Sequence, residues 1–116
     1  MILWGDYMDL FNDIQELINK LNVSIKTLAK NGKALAEAER DYKITLRQEA
    51  LKLRSDGMAV TLINQIVYGI PDVASKRFKR DVAETMYQTN LEYINTTKLQ
   101  LRILENQLQR EWSKNE

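Results

Sequence analysis

The chain of 116 residues carries 17 Lys and Arg against 16 Asp and Glu, which leaves a formal net charge of +1. So even a balance argues against a general polyanion binder and against an acidic tail. The length predicts one domain over residues 1–116. Only four Gly and one Pro interrupt the chain. Since turns and strand ends need these residues, the composition predicts few turns and long helices, an all-α fold.

The sequence contains no Cys and no His. The lack of Cys excludes disulfides and thiolate metal sites, and the lack of His removes the commonest general base and zinc ligand. No apolar run approaches the roughly 18 residues that a membrane span needs, and the apolar start at residues 1–5 is too short for a signal peptide. We therefore expect a cytoplasmic protein with no membrane partner.

The first predicted helix covers about residues 6–54. Asp6 is a suitable N-cap, and Asp9 adds negative charge at the positive end of the helix dipole. Apolar residues then recur at steps of three and four, the spacing of a helix packed lengthwise on another helix. These predicted seam residues are Leu10, Ile14, Leu17, Leu21, Ile25, Leu28, Leu35, Ala38, Tyr42, Leu46 and Leu53.

Gly32 interrupts this pattern, and a helix stop at Asn31-Gly32 is one interpretation. However, the apolar spacing resumes in phase after Gly32, and strong helix formers follow at Ala34 and Ala36. We therefore predict a helix that continues through Gly32, at a cost of about 1 kcal/mol relative to Ala. The helix should end at residues 55–57, with Gly57 as its left-handed C-cap.

A short helix is predicted at about residues 61–68, with Thr61 as its N-cap. Gly69 breaks it, and Pro71 suits the first position of a new helix, where no backbone N–H is needed. A helix-turn-helix interpretation of this connection is weaker, because Pro71 and Asp72 lie where base-reading side chains would be needed.

The last predicted helix covers about residues 71–112 and contains no Gly or Pro after Pro71. Its predicted apolar stripe consists of Ala74, Phe78, Val82, Tyr87, Ile94, Leu101, Leu104, Leu108 and Trp112. Asn90, Thr97 and Lys98 lie on or near this stripe, where polar groups often set register or oligomeric state.

Two long helices joined by a short one predict a long antiparallel helical hairpin with the short helix at its tip. Each helix of such a pair can bury only one stripe, yet several large apolar residues fall outside the two stripes. This surplus predicts a second buried face and self-association into an oligomeric bundle; a monomer with a three-helix tip is the alternative. The surplus residues are Leu3, Phe11, Ile18, Leu91, Tyr93, Leu99 and Ile103.

No arrangement of residues points to catalysis. The serines have no His partner, and no Gly-rich phosphate loop is present. Glu37 and Asp41 could gather a divalent metal across a bundle, but Lys33 and Arg40 flank them as on a solvated helix face. We expect a protein without enzymatic activity, cofactor or metal.

The charges are distributed unevenly along the chain. Residues 1–42 carry seven acids and five bases, residues 43–80 carry three acids and eight bases, and residues 81–116 carry six acids and four bases. A hairpin folds the middle segment into its tip, which would therefore be basic. The candidate anion- or partner-binding residues are Arg47, Arg54, Lys76, Arg77, Lys79 and Arg80.

Two interpretations of residues 76–80 remain open. The bases oppose the dipole at the start of a helix, which is more readily tolerated if an anion binds nearby. Alternatively, Arg77 pairs with Asp81 and Arg80 pairs with Glu84 one turn later, as ordinary solvated ion pairs. In both interpretations Phe78 points away from the bases and packs in the core.

Four stretches of the chain resemble small proteins of unknown function encoded by temperate phages of Gram-positive bacteria. They are residues 31–43, which begin NGKALAEAE, residues 53–63 (LRSDGMAVTLI), residues 77–84 (RFKRDVAE) and residues 98–112. The resemblance implies a cytoplasmic role in the bacterial host, in phage DNA metabolism or in countering host defence. It implies no catalytic or binding residue.

These observations lead to two hypotheses of function. The first is a homo-oligomeric phage accessory protein that binds nucleic acid, a nucleotide or an acidic protein surface through the basic tip. The second is a phage inhibitor of host immunity that occludes a defence protein or sequesters a nucleotide signal.

Overall fold

The computed structural model describes the backbone of residues 4–114 and the side chains of residues 7–114. Three α-helices follow one another: α1 (Trp4–Ser55), α2 (Val60–Ile66) and α3 (Pro71–Lys114). A 3-10 helix, Val67–Gly69, links α2 to α3. The described backbone contains no strand, which confirms the all-α class with a long N-terminal and a long C-terminal helix.

The starts of the two long helices differ in how well the sequence predicts them. α1 begins at Trp4, so Asp6 lies within its first turn and the predicted N-cap is wrong. α3 begins at Pro71, as predicted. The fixed φ of Pro is already helical, and its missing N–H would have no acceptor in the first turn.

α1 continues through Gly32, which confirms the predicted continuous helix. A Cβ added at Gly32 would lie 3.5 Å from Cε2 of Tyr87, an ordinary van der Waals contact. Packing therefore leaves room for a methyl group, and the cost of Gly32 is that of helix propensity alone.

A Schellman motif around Gly57 ends α1, as the predicted C-cap requires. The Gly57 N–H donates to the carbonyl of Arg54 at 3.0 Å, and the Met58 N–H donates to the carbonyl of Leu53 at 3.1 Å. Gly57 has a φ of +87°, a left-handed conformation that costs other residues roughly 1–2 kcal/mol. Leu53 and Met58 both pack against the neighbouring core, the apolar contact that accompanies this motif.

The start of α2 is not capped by Thr61, and that prediction is wrong. α2 begins at Val60, preceded by Ala59 in an extended conformation, and no side chain caps it. Ile63 and Val67, four residues apart, are both buried. Such a short helix is marginal alone, so tertiary packing of these two side chains holds it in place.

The chain divides into two compact units. Unit 1 combines α1 up to Ala29 with α3 from Thr89 onward, and unit 2 comprises residues 30–88. In unit 1 the Tyr7 hydroxyl donates to the carbonyl of Glu111 at 2.6 Å, and the Asn90 amide donates to the carbonyl of Ser24 at 3.1 Å. Because earlier residues of α1 meet later residues of α3, these two segments are antiparallel.

Unit 1 buries a seam with a strict seven-residue repeat. On α1 the half-buried or buried positions include Leu10, Leu17 and Ser24. Ile25, predicted on this seam, is 48% exposed, whereas Ser24 is buried. The seven-residue repeat places Ser24, not Ile25, toward α3. The Ser24 backbone carbonyl accepts the hydrogen bond from the Asn90 amide.

The seam of α3 in unit 1 contains polar positions, as predicted for Asn90 and Thr97. Thr97 is 2% exposed, and its hydroxyl donates to the Tyr93 carbonyl at 2.7 Å, which satisfies the buried group. Lys98, in contrast, is exposed. Apolar positions Ile94, Leu101, Leu104 and Leu108 occupy the rest of this seam.

Unit 2 contains a continuous hydrophobic core. Its buried residues come from all of its elements: Tyr42 from α1, Ile63 from α2, Val67 from the 3-10 helix and Val73 from α3. Five partly buried side chains pack against them, namely Leu46, Ala50, Leu53, Met58 and Ile70. The predicted α1 seam residues Tyr42, Leu46 and Leu53 are thus confirmed.

The predicted stripe is wrong for the first three turns of α3. Ala74, Phe78 and Val82 are exposed. The covered positions are instead Val73, Lys76, Arg80, Ala83 and Tyr87. This is the seven-residue repeat of Ile94 continued toward the N-terminus, and it places two basic side chains on the covered face. Long basic side chains tolerate such positions because their methylene stems cover apolar surface.

Many apolar side chains lie outside both seams, as the sequence predicts. Of the surplus residues, Phe11, Tyr93, Leu99 and Ile103 are 47–54% exposed. Ile18 and Leu91 are half-buried, and Leu3 lies outside the described residues. Trp112, predicted on the α3 stripe, is 57% exposed.

Candidate binding surface

The six candidate bases fall into three groups in unit 2. Arg47 and Arg54 are both exposed, and their seven-residue spacing places them on one side of α1. Lys76 and Lys79 line a common cleft, whereas Arg77 and Arg80 each lie over a tyrosine ring. The four bases of α3 therefore have defined neighbours, either the cleft or a tyrosine ring. Arg47 and Arg54 are exposed on α1.

The cleft of Lys76 and Lys79 has a volume of about 240 Å³ and mixed charge. Glu37 and Asp41 of α1 line its opposite side. Each carboxylate already has a partner along α1: Glu37 contacts Lys33 at 4.0 Å, and Asp41 contacts Arg40 at 3.1 Å.

Five of the six candidate bases lack a protein counter-ion. Among the described side chains, Arg47, Arg54, Lys76, Arg77 and Lys79 form no ion pair. The pair that the sequence offered for Arg77, with Asp81, is therefore not formed. For Lys76 and Lys79, Glu37 and Asp41 line the same cleft without direct contact, whereas the charges of Arg47, Arg54 and Arg77 are left to solvent or to a partner.

Arg77 lies beside the 3-10 helix rather than beside an acid. Its guanidinium carbon lies 5.5 Å from the centre of the Tyr68 ring, within the range of a cation–π contact. Tyr68 is 45% exposed. An exposed ring and a guanidinium that has no ion pair thus stand side by side on the surface of unit 2.

Arg80 is the exception among the candidate bases. Its guanidinium carbon lies 4.7 Å from the centre of the buried Tyr42 ring. Its Nη2 and Nε donate to Oδ1 of Asp81 at 2.7 and 3.1 Å. The hydrogen bond to Asp81 raises the pKa of the Arg80 guanidinium above its ordinary value, and Glu84, the predicted partner, adds only a weaker charge effect. Arg80 therefore stabilises the packing of unit 2 and is less available to a partner than the other candidate bases.

Phe78 is 68% exposed, the reverse of the predicted core position. It lies at the edge of an apolar groove of about 230 Å³ in unit 2. Val82 and Met86 continue the groove along α3, Ala34 lies across it on α1, and Lys79 stands at its rim. The sequence contained the signal for this groove, because Phe78, Val82 and Met86 recur every four residues on the side of α3 away from the seven-residue repeat.

A second apolar groove of about 540 Å³ lies in unit 1, at the end formed by the start of α1 and the end of α3. Tyr7, Met8 and Phe11 line one side, and Leu108 and Trp112 line the other. The Tyr7 and Trp112 rings meet edge to face with centroids 5.9 Å apart.

No group of three or more potential metal ligands occurs in the described part of the chain. Within those same residues, no helix has a stretch long and apolar enough to span a membrane. Comparison with known proteins found no matching family model, no matching curated protein and no matching solved structure.

Proposed function

We propose that the chain is a non-enzymatic, self-associating binding protein whose basic surface in unit 2 takes an acidic partner. The observation that carries this proposal is Phe78, exposed on an apolar groove with Lys79 at its rim. An exposed Phe beside bases that lack ion pairs does not stabilise unit 2 by itself. It can serve as an apolar anchor within a charged rim when a partner binds.

Within this proposal the geometry favours an acidic protein surface over a nucleic acid. Val82, Met86 and Ala34 make the groove apolar along its length, which suits the apolar face of a helix. The carboxylates of Glu37 and Asp41 line the neighbouring cleft with Lys76 and Lys79. They would repel either kind of anion there, so the preference for a protein partner rests on the apolar groove. The resemblance to phage proteins implies that this partner is a protein of the phage or its host.

The test uses two probes: an acidic amphipathic helical peptide and a single-stranded oligothymidylate. We expect the peptide to bind with an affinity that falls as salt rises. Phe78→Ala and Lys79→Ala should each weaken binding at least tenfold, whereas Arg102→Ala, which removes an exposed base of α3 in unit 1, should not. Binding that is equally strong in the Phe78 and Lys79 variants contradicts the proposed surface. Tight binding of the oligothymidylate, weakened by the same variants, would support a nucleic-acid partner instead.

The second candidate function is inhibition of host immunity, by occlusion of a defence protein or by sequestration of a nucleotide. Arg77 beside the exposed Tyr68 favours the nucleotide version, since a ring can stack on a base while a guanidinium binds phosphate. A cyclic dinucleotide that binds the wild-type chain but not Arg77→Ala or Tyr68→Ala would support this candidate over the peptide-binding function.

A further inference from the structure

A second stripe with a seven-residue repeat runs along α1 in unit 1, beside the buried seam. Its members follow one another at steps of three and four, and none of them is charged: Met8, Phe11, Gln15, Ile18, Asn22, Ile25 and Ala29. Ile18 is half-buried and the other six are exposed. The stripe is about 32 Å long at 1.5 Å per residue, which is three heptads of helix surface.

The absence of charge on this stripe is selective. Charged residues make up 28% of the chain. Within the same turns α1 carries Asp9, Asp13, Glu16 and Lys20 on its other sides and Lys26 at the edge of the stripe. A helix surface that faces only water has no reason to exclude charge from one line of seven positions. Apolar residues at alternating steps of three and four are the pattern of a helix that packs on another helix.

The stripe is its own complement when it is read backward about Ile18. In this antiparallel arrangement Phe11 meets Ile25 and Gln15 meets Asn22. Large Met8 likewise meets small Ala29, and Ile18 meets itself. Apolar side chains therefore meet apolar ones, and amides meet amides. A partner of different sequence would not require this self-complementarity, but a two-fold dimer does.

The charges on the rest of α1 favour the same orientation. Residues 7–16 carry three acids and no base, whereas residues 17–30 carry three lysines and no acid. In an antiparallel pair, the acidic half of one α1 lies alongside the basic half of the other. A parallel pair would place like charges together. Most of these charges lie away from the stripe, so they act through long-range electrostatics, which selects orientation more than it adds affinity.

We infer that two copies of this chain associate through antiparallel packing of their α1 stripes about Ile18. In this dimer, Ile25 of the second copy packs at the apolar groove that Met8, Phe11 and Trp112 line. The inference deepens the self-association in the proposed function by naming its surface. The dimer does not involve the basic surface of unit 2. The dimer and the binding of an acidic partner can therefore be disproved independently.

A matched pair of variants tests the surface. Ile25 and Val23 are both β-branched, exposed and two residues apart on α1 (48% and 64% exposed), but only Ile25 lies on the stripe. Sedimentation equilibrium should give twice the 13.6 kDa chain mass for the wild type and for Val23→Lys. Ile25→Lys should give the chain mass, with helicity by circular dichroism retained. A monomeric wild type overturns the inference, and so do equal effects of the two variants.

Cysteine cross-linking tests the orientation, since the chain has no native Cys. Under mild oxidation Ile18→Cys should form a disulfide-linked dimer, because this position meets its own copy. Phe11→Cys alone should not, whereas a mixture of Phe11→Cys and Ile25→Cys should give the mixed dimer. Efficient cross-linking of Phe11→Cys with itself would mean a parallel pair and would overturn the antiparallel arrangement. The readout is the linked species, so a moderate loss of stability leaves the test valid.

Discussion

Unit 1 and unit 2 use the same seven-residue repeat, but they bury different chemistry with it. In unit 1 the non-aliphatic seam positions include the neutral Ser24, Asn90 and Thr97. In unit 2 the same repeat on α3 includes Lys76 and Arg80, and Arg80 lies over a core tyrosine. The outer surfaces differ in the same sense, since unit 1 has an uncharged α1 stripe and unit 2 has bases without ion pairs. This difference underlies our proposals that unit 1 packs against another copy and that unit 2 binds an anionic partner.

Substitutions in the cores of the two units should cause the largest losses of stability. They also test whether the two units unfold together. Ile94 in unit 1 and Ile63 in unit 2 are each 5% exposed, so replacing either with Ala should cost about 2–5 kcal/mol. The only tryptophans, Trp4 and Trp112, belong to unit 1. Urea unfolding followed by tryptophan fluorescence therefore reports on unit 1, and circular dichroism reports on both.

The single domain predicted from chain length requires the two probes to give one transition in the wild type and in both variants. Under that prediction Ile63→Ala lowers the fluorescence midpoint, as Ile94→Ala does. A fluorescence midpoint that responds only to Ile94→Ala would make the units independently folding bodies.

Replacing Gly32, inside α1, and Gly57, just after its end, with Ala should change the free energy of unfolding in opposite directions. Gly57→Ala places an L-residue at a φ of +87° and should lower the free energy of unfolding by roughly 1–2 kcal/mol. Gly32→Ala should raise it by up to about 1 kcal/mol, because the new methyl group has room beside Tyr87. Thermal unfolding of both variants beside the wild type measures the difference. Destabilisation by Gly32→Ala would mean that the contact with Tyr87 is closer than 3.5 Å in solution.

The sequence predicted the helices well because helix ends depend on local chemistry. Gly57 ends α1 in a left-handed conformation that few other residues adopt. Pro71 begins α3 because its φ is already fixed at a helical value and it has no N–H that needs an acceptor. Capping by Asp6 and Thr61 was wrong, since an N-cap is optional. In α2, the burial of Ile63 and Val67 determines the helix without a cap.

The sequence predicted the covered face of α3 poorly, because a large apolar side chain in its first turns does not lie on that face. Phe78 is the largest apolar residue of the first turns, and with Ala74 and Val82 it defined the predicted stripe. Counting back in sevens from Ile94 gives Tyr87, Arg80 and Val73, all at least half-buried. A basic residue is hard to assign to a seam from sequence, since its place depends on a ring such as Tyr42 that another helix supplies.

The smallest expected effect tests this corrected face directly. Phe78→Ala should change the free energy of unfolding by less than about 0.5 kcal/mol, as is usual for exposed positions. Val73→Ala is the control, since Val73 is fully buried and should cost about 1.5–3 kcal/mol. Chemical denaturation of both variants measures the contrast. A loss above about 2 kcal/mol in Phe78→Ala would mean that the ring is covered in solution, which contradicts its assignment to an exposed binding groove. Neutral stability with lost peptide binding would instead assign Phe78 to the partner.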